Sequence, residues 1–184
     1  MRWEALFGDL EAQAEQLAAA ELQAEVADRT RREVGLLGIV DRLRESAGHP
    51  MAVTVVGAGA LHGRLLDAGT DWLLLEETGL REVLVPLAAV LGVTGVGARS
   101  AVPGSEGEVG RRLDLRFALR GLARDRAGVA VVLRDGSTVS GTLDRVGADH
   151  VDVAEHAPGE ARRAAAVRQV RIVPLTALAL LRST

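Results

Sequence analysis

The chain repeats itself, and that limits its fold more than any other feature. The stretch from Gly63 to Glu77 lies over the stretch from Gly141 to Glu155 at one constant spacing. The two share the pattern G-x-L-x-x-x-G-x-D-x-φ-x-φ-x-E, with φ aliphatic. Upstream, Val53-Thr54-Val55-Val56 resembles Val129-Ala130-Val131-Val132. Downstream, Val85-Pro86-Leu87 falls on Val173-Pro174-Leu175 at a slightly longer spacing, the extra residues lying between Ala157 and Arg168. Several matches in one order point to duplication of a single unit.

Each unit reads as a helix followed by about five short strands. Thr30 with Glu33 has the spacing of a capping box, and Gly48 before Pro50 is a stop, which predicts a helix from Arg31 to Ser46. Strands are predicted at Val53–Val56, from Leu61, at Trp72–Glu76, up to Val85 and at Val90–Val93, with counterparts in the second copy. Gly69 and Gly147 mark a bulge or tight turn. Pro86 and Pro174 lack the N–H a central ladder needs, so each belongs at a strand end, before one short helical turn. The expected fold is mainly β with helices (α+β). It has an N-terminal helix over residues 1–30, a five-stranded barrel over 31–96, a linker over 97–110 and a second five-stranded barrel over 111–184, each barrel preceded by a helix.

This pattern resembles the Sm-like barrel, twice over most of the chain. The segment Glu82-Val83-Leu84-Val85-Pro86-Leu87 is also similar to the C-terminal barrel of ribosome maturation factors, and the chain at full length to an actinobacterial protein family. The Sm-like resemblance implies binding of single-stranded RNA. The uridine pocket of that family needs an Asp and, in one branch, an Asn at positions held here by Gly69 and Leu73, and by Gly147 and Val151. Asp71 and Asp149 are displaced by two residues, and the chain has no Asn. The resemblance therefore supports the fold and argues against inheritance of the base-reading pocket.

The strands at Trp72 and His150 differ in kind. Val151 and Val153 alternate with His150 and Asp152, as in a strand with one solvated face. Trp72, Leu73, Leu74 and Leu75 are apolar on both faces, so Trp72 and Leu74 need a cover, either inside the chain or from a partner. Trp3, Leu6 and Leu10 lie on a thin a/d-like seam of the N-terminal helix and are candidates for the same kind of contact.

All 22 basic residues are Arg, against 25 acidic ones, for a net charge of −3, which gives no global field for a polyanion. A local patch is predicted where Arg112, Arg116, Arg120 and Arg124 recur every helical turn. Such a ladder suits a phosphate backbone or an acidic protein. There is no Cys, and His49, His62, His150 and His156 show no metal-ligand spacing, so neither a metal nor a cofactor is expected. Ser100, Ser105 and Ser137 sit in linker or turn stretches with no nucleophile motif, so no catalytic residue is assigned. Glu4, Asp9, Glu11 and Glu15 interrupt the first twenty residues, and the near-apolar run Val83–Val93 is too short for a bilayer. A cytoplasmic location and no membrane partner are expected. The expected function is non-catalytic binding: RNA held through its phosphates on the arginine ladder, or alternatively protein interaction and assembly. Small barrels bury little of their surface, so a homo-oligomer or partner complex is also expected.

Overall fold

A computed structural model describes residues 2–105, 107, 112–160 and 162–184; in the first helix, side chains are described at 7, 8, 13 and from 15 onward. The chain divides into two units, residues 1–37 and 38–184.

The first unit is one helix, α1 (Arg2–Gly35). Thr30 does not open a new helix. Its hydroxyl donates to the Val26 carbonyl at 2.8 Å inside α1, and Glu33 pairs with Arg29 at 3.1 Å. Arg31 pairs with Asp28 in the same stretch, so good helix formers with i,i+3 and i,i+4 ion pairs carry the helix through the apparent cap. It stops at Gly35. Phe7, Leu17, Leu22, Val26 and Val34 are all exposed along it.

The second unit opens with the short helix α2 (Ile39–Glu45), where the Gly38 N–H donates to the Asp41 carboxylate at 2.9 Å. Strands β1 (Pro50–Val55), β2 (Gly59–Ala68), β3 (Trp72–Glu77), β4 (Arg81–Pro86) and β5 (Val90–Thr94) follow. Helix α3 (Leu115–Asp125) leads into β6 (Gly128–Leu133), β7 (Thr138–Val146), β8 (His150–Glu155), β9 (Gln169–Pro174) and β10 (Leu178–Ser183). Both prolines end their strands, and a 3₁₀ turn follows each, at Leu87–Ala89 and Leu175–Ala177.

The two halves repeat down to their irregularities. The β2–β3 ladder shifts register between Leu65 and Asp67, and the β7–β8 ladder at the matching place between Leu143 and Arg145. In the first strand of each half the ladders move the match by two residues from Val53 with Val129: Val53 opposes Leu61 and Val93 as Val131 opposes Val139 and Leu181. The Leu87 N–H bonds the Asp71 carbonyl at 2.8 Å, and the Leu175 N–H bonds the Asp149 carbonyl at 2.7 Å.

The halves are not the two separate five-stranded barrels that the repeat predicts. All ten strands form one antiparallel sheet in the order β5-β1-β2-β3-β4-β10-β6-β7-β8-β9, and the sheet does not close. β4 pairs with β10 of the other half, Leu84 opposite Leu181 and Val83 opposite Arg182. The physical reason lies in the strands themselves. Val83 to Val85 and Leu178 to Leu181 are buried throughout, as interior strands covered on both faces must be. The cores interlock in consequence. Val132, Ala179 and Leu180 join the cluster around Leu43, Leu65 and Leu73, while Trp72 and Leu84 join the one around Leu119, Leu143 and Val153. Among the described residues, no helix is long and apolar enough to cross a membrane.

Candidate functional site

The seam between β4 and β10 accounts for Trp72 and Leu74. Gly69 lies directly under the indole: a Cβ there would stand 2.1 Å from Trp72 Nε1. The indole N–H donates to the Leu113 carbonyl at 2.9 Å, and the Asp71 carboxylate accepts the Leu115 N–H at 2.7 Å. These two bonds fix the start of α3 across the end of β3. Leu115 and Leu119 then pack on Trp72 and Leu84, and Trp72 is left 7% exposed. The two predicted contact residues on β3 thus face the other half of the same chain. A cavity of about 180 Å³ remains beneath them where Ala118 and Ala127 are small, walled by Leu74, Leu122 and Leu181. The side chains of Trp3, Leu6 and Leu10 lie outside the described residues.

The second half builds the same corner and leaves it bare. Gly147 takes the place of Gly69, with a Cβ that would meet His150 Cε1 at 2.4 Å, and His150 takes the place of Trp72. Asp149 matches Asp71 but, among the described residues, takes no N–H from a helix start; its carboxylate, 90% exposed, bonds His150 Nδ1 at 2.9 Å and its own backbone N–H. That bond holds its pKa below the usual carboxylate value. Asp152 replaces Leu74, and its Oδ1 is shielded from solvent without a hydrogen-bond partner among the described residues. On β9, Ile172 stands where Leu84 stands on β4, yet it is 66% exposed, and Val170 beside it is 54% exposed. β9 is an outer strand, paired among the described residues to β8 alone. Ion pairs flank it. Arg171 and Gln169 both bond Glu155, and Arg162 grips Asp144 through two nitrogens. Both carboxyls are held below their usual range, chiefly by those arginine bonds.

The arginine ladder is shorter than its spacing predicts. The Asp114 carboxylate accepts the Phe117 N–H at 2.8 Å and caps α3, so Arg112 precedes the helix. Arg116 is turned back onto Asp114 at 2.8 Å. Partial burial works against the Asp114 charge, but the Phe117 N–H and Arg116 outweigh it and lower its pKa. Arg120 and Arg124 are exposed and, among the described residues, make no hydrogen bond or salt bridge.

The histidines do not converge. His156 is buried with its ring nitrogens on the Thr142 hydroxyl at 2.8 Å and the Ala157 carbonyl at 3.0 Å, while His150 is engaged with Asp149. Among the described residues, no group of three or more His, Asp or Glu could hold a metal ion. The Ser137 hydroxyl donates to Asp135 within a turn. No family model matches the chain, and no curated protein matches it.

Proposed function

We propose that the chain is a non-catalytic binding protein that takes up a protein segment by strand addition at β9. The observation that carries this reading is the contrast between equivalent strands. β4 is buried beneath β10 and α3, whereas β9 has an unpaired edge with Val170 and Ile172 in solvent. Unpaired edges of that kind offer a row of backbone donors and acceptors, and apolar side chains beside them add affinity. The test is anisotropy of a labelled, end-blocked peptide of alternating valine and threonine. Binding to the wild-type chain that falls about tenfold or more with Ile172→Asp, or about 1.4 kcal/mol, supports the reading. Equal binding by both proteins, or none by either, overturns it.

Arg120 and Arg124 favour a second reading, phosphate contact along α3, because they sit one helical turn apart and, among the described residues, neither makes a salt bridge. Anisotropy with mixed-sequence single-stranded RNA at two salt concentrations tests it. Each phosphate contact contributes a slope of about −0.7 in log K against log salt, so Arg120→Gln with Arg124→Gln should flatten the slope by about 1.4. Unchanged binding in the double variant removes α3 as the site.

A further inference from the structure

The internal seam specifies what would fit the bare edge. We infer that the occupant of β9 is β5 of a second copy of this chain, docked head to tail so that the contact between copies repeats the β4–β10 joint within one. The inference rests on the reading of β9 as a binding edge and adds the identity of the partner.

Three observations carry it. The first is register. β5 stands to β1 as β10 stands to β6, with matching pairs and a matching shift, between Thr54 and Val55 in one and between Leu178 and Leu180 in the other. β5 is therefore the first half's version of the strand that β4 accepts. It is also the sheet's other outer strand, with Leu91 69% exposed. The internal pair Leu84 with Leu181 translates to Ile172 with Val93 of the second copy. The internal pair Val83 with Arg182 translates to Arg171 with Thr94.

The second observation is the helix clamp. In the internal joint Asp71 accepts the N–H of Leu115, the first residue of α3. Asp149 holds the same position with its carboxylate 90% exposed and bonded to His150, and Ile39 is the matching first residue of α2, 51% exposed. A helix-start N–H has no partner within its own helix, so a carboxylate is a natural one. Acceptor and donor thus lie at the two opposite edges of the sheet, as a head-to-tail contact requires.

The third observation is the placing of exposed apolar residues. Val170 and Ile172 are on the β9 edge; Ile39 and Leu91 are on the β5 edge with α2. The counterparts of Ile172, Ile39 and Leu91, which are Leu84, Leu115 and Ala179, are buried in the internal joint, while Val170 matches the exposed Glu82. Two different patches in contact make a heterologous interface, so every copy added exposes a new β9 until the array closes or runs on. Gly92 and Thr94 offer less than Leu180 and Arg182 do, which makes this joint weaker than the internal one.

The test is the mass in solution of the full chain across a concentration series, for wild type, Ile172→Asp, Ile39→Asp and Leu91→Asp. These residues are exposed, so the variants should melt with the wild type. The expected result is assembly of the wild type with rising concentration and a single-chain mass for each variant. An equimolar mixture of Ile172→Asp with Ile39→Asp should give a dimer and nothing larger, because one intact β9 meets one intact β5. A wild type that stays monomeric overturns the inference. It leaves the edge reading standing if the valine–threonine peptide still binds. Loss of assembly in Ile172→Asp alone would mean β9 pairing with β9, and assembly surviving in every variant would place the contact elsewhere; either overturns the head-to-tail joint.

Discussion

The indole N–H of Trp72 reaches across the seam to the carbonyl of Leu113, 2.9 Å away and 41 residues further along the chain. That carbonyl also accepts the Thr70 N–H at 3.3 Å, so it keeps one partner if the indole is removed. Trp72→Phe should therefore cost about 1–2 kcal/mol, from one lost bond and a partly emptied site. Urea denaturation followed by circular dichroism measures it.

Asp71 and Asp149 occupy one position in two copies but do different things. Asp71→Ala removes the acceptor for the Leu115 N–H and should cost about 1 kcal/mol, like loss of a helix cap. That corresponds to a fall of roughly 2–4 °C in melting temperature for a chain of this size. Asp149→Ala should change the melting temperature of a dilute sample far less, because its exposed carboxylate holds the neighbouring His150 and its own backbone rather than a helix. Equal effects would mean that Asp71 does not hold α3.

The glycine beneath each ring gives a second contrast. Gly69→Ala drives a methyl into a buried indole that is pinned by its hydrogen bond, and should cost about 1–3 kcal/mol as overpacking. Gly147→Ala meets His150, whose side chain is 36% exposed and can swing toward solvent, so it should cost less. Thermal melts of the two variants decide the order.

The void at the seam should accept added carbon. Ala118→Leu extends a side chain from α3 into the cavity beside Leu74 and Leu181. It should stabilise the chain by roughly 0.5–2 kcal/mol, within the usual range for cavity filling. A fall in stability would mean that the space cannot take a branched side chain.

Acid should weaken the β8–β9 border. Glu155 and Asp144 bind protons less readily when folded, chiefly because Arg171 and Arg162 bond them. Depressed carboxyls add stability that is complete above their unfolded pKa values, about 4.3 and 3.9, and lost as pH falls through the lower folded values. The arginines are partly exposed, so a gain of under about 1 kcal/mol per pair is expected. Wild type should melt above Glu155→Gln/Asp144→Asn at neutral pH, and the gap should close as the pH falls below the unfolded carboxyl values.

The sequence announced the units and hid their union. Paired glycines, paired prolines and alternation in β8 were enough to place the strands of both halves. The union was present in the letters too. Leu178-Ala179-Leu180-Leu181 has no polar face, and neither does Trp72-Leu73-Leu74-Leu75, whereas Val170-Arg171-Ile172 alternates. Strands without a polar face belong in the middle of a covered sheet, which a pair of separate barrels does not provide. Thr30 misled because a cap motif inside an Ala-, Glu- and Arg-rich stretch competes with ion pairs that prolong the helix. Arg112 misled because Asp114, a residue type favoured at helix starts, sets the first turn two residues further on. Which edge stays open is a tertiary fact: Leu84 and Ile172 are alike as letters and differ only in what lies over them.

The seam also dictates an order of events at the ribosome. The Glu82 N–H bonds the hydroxyl of Ser183, 101 residues downstream. At about 5–20 residues per second, a nascent chain waits roughly 5–20 s between making β4 and making the strand that covers its edge. α3 emerges earlier and can shelter Trp72 well before β10 exists. For that interval the first half presents a bare strand edge beneath a helical lid, the species that chaperones would meet and that slow translation would prolong.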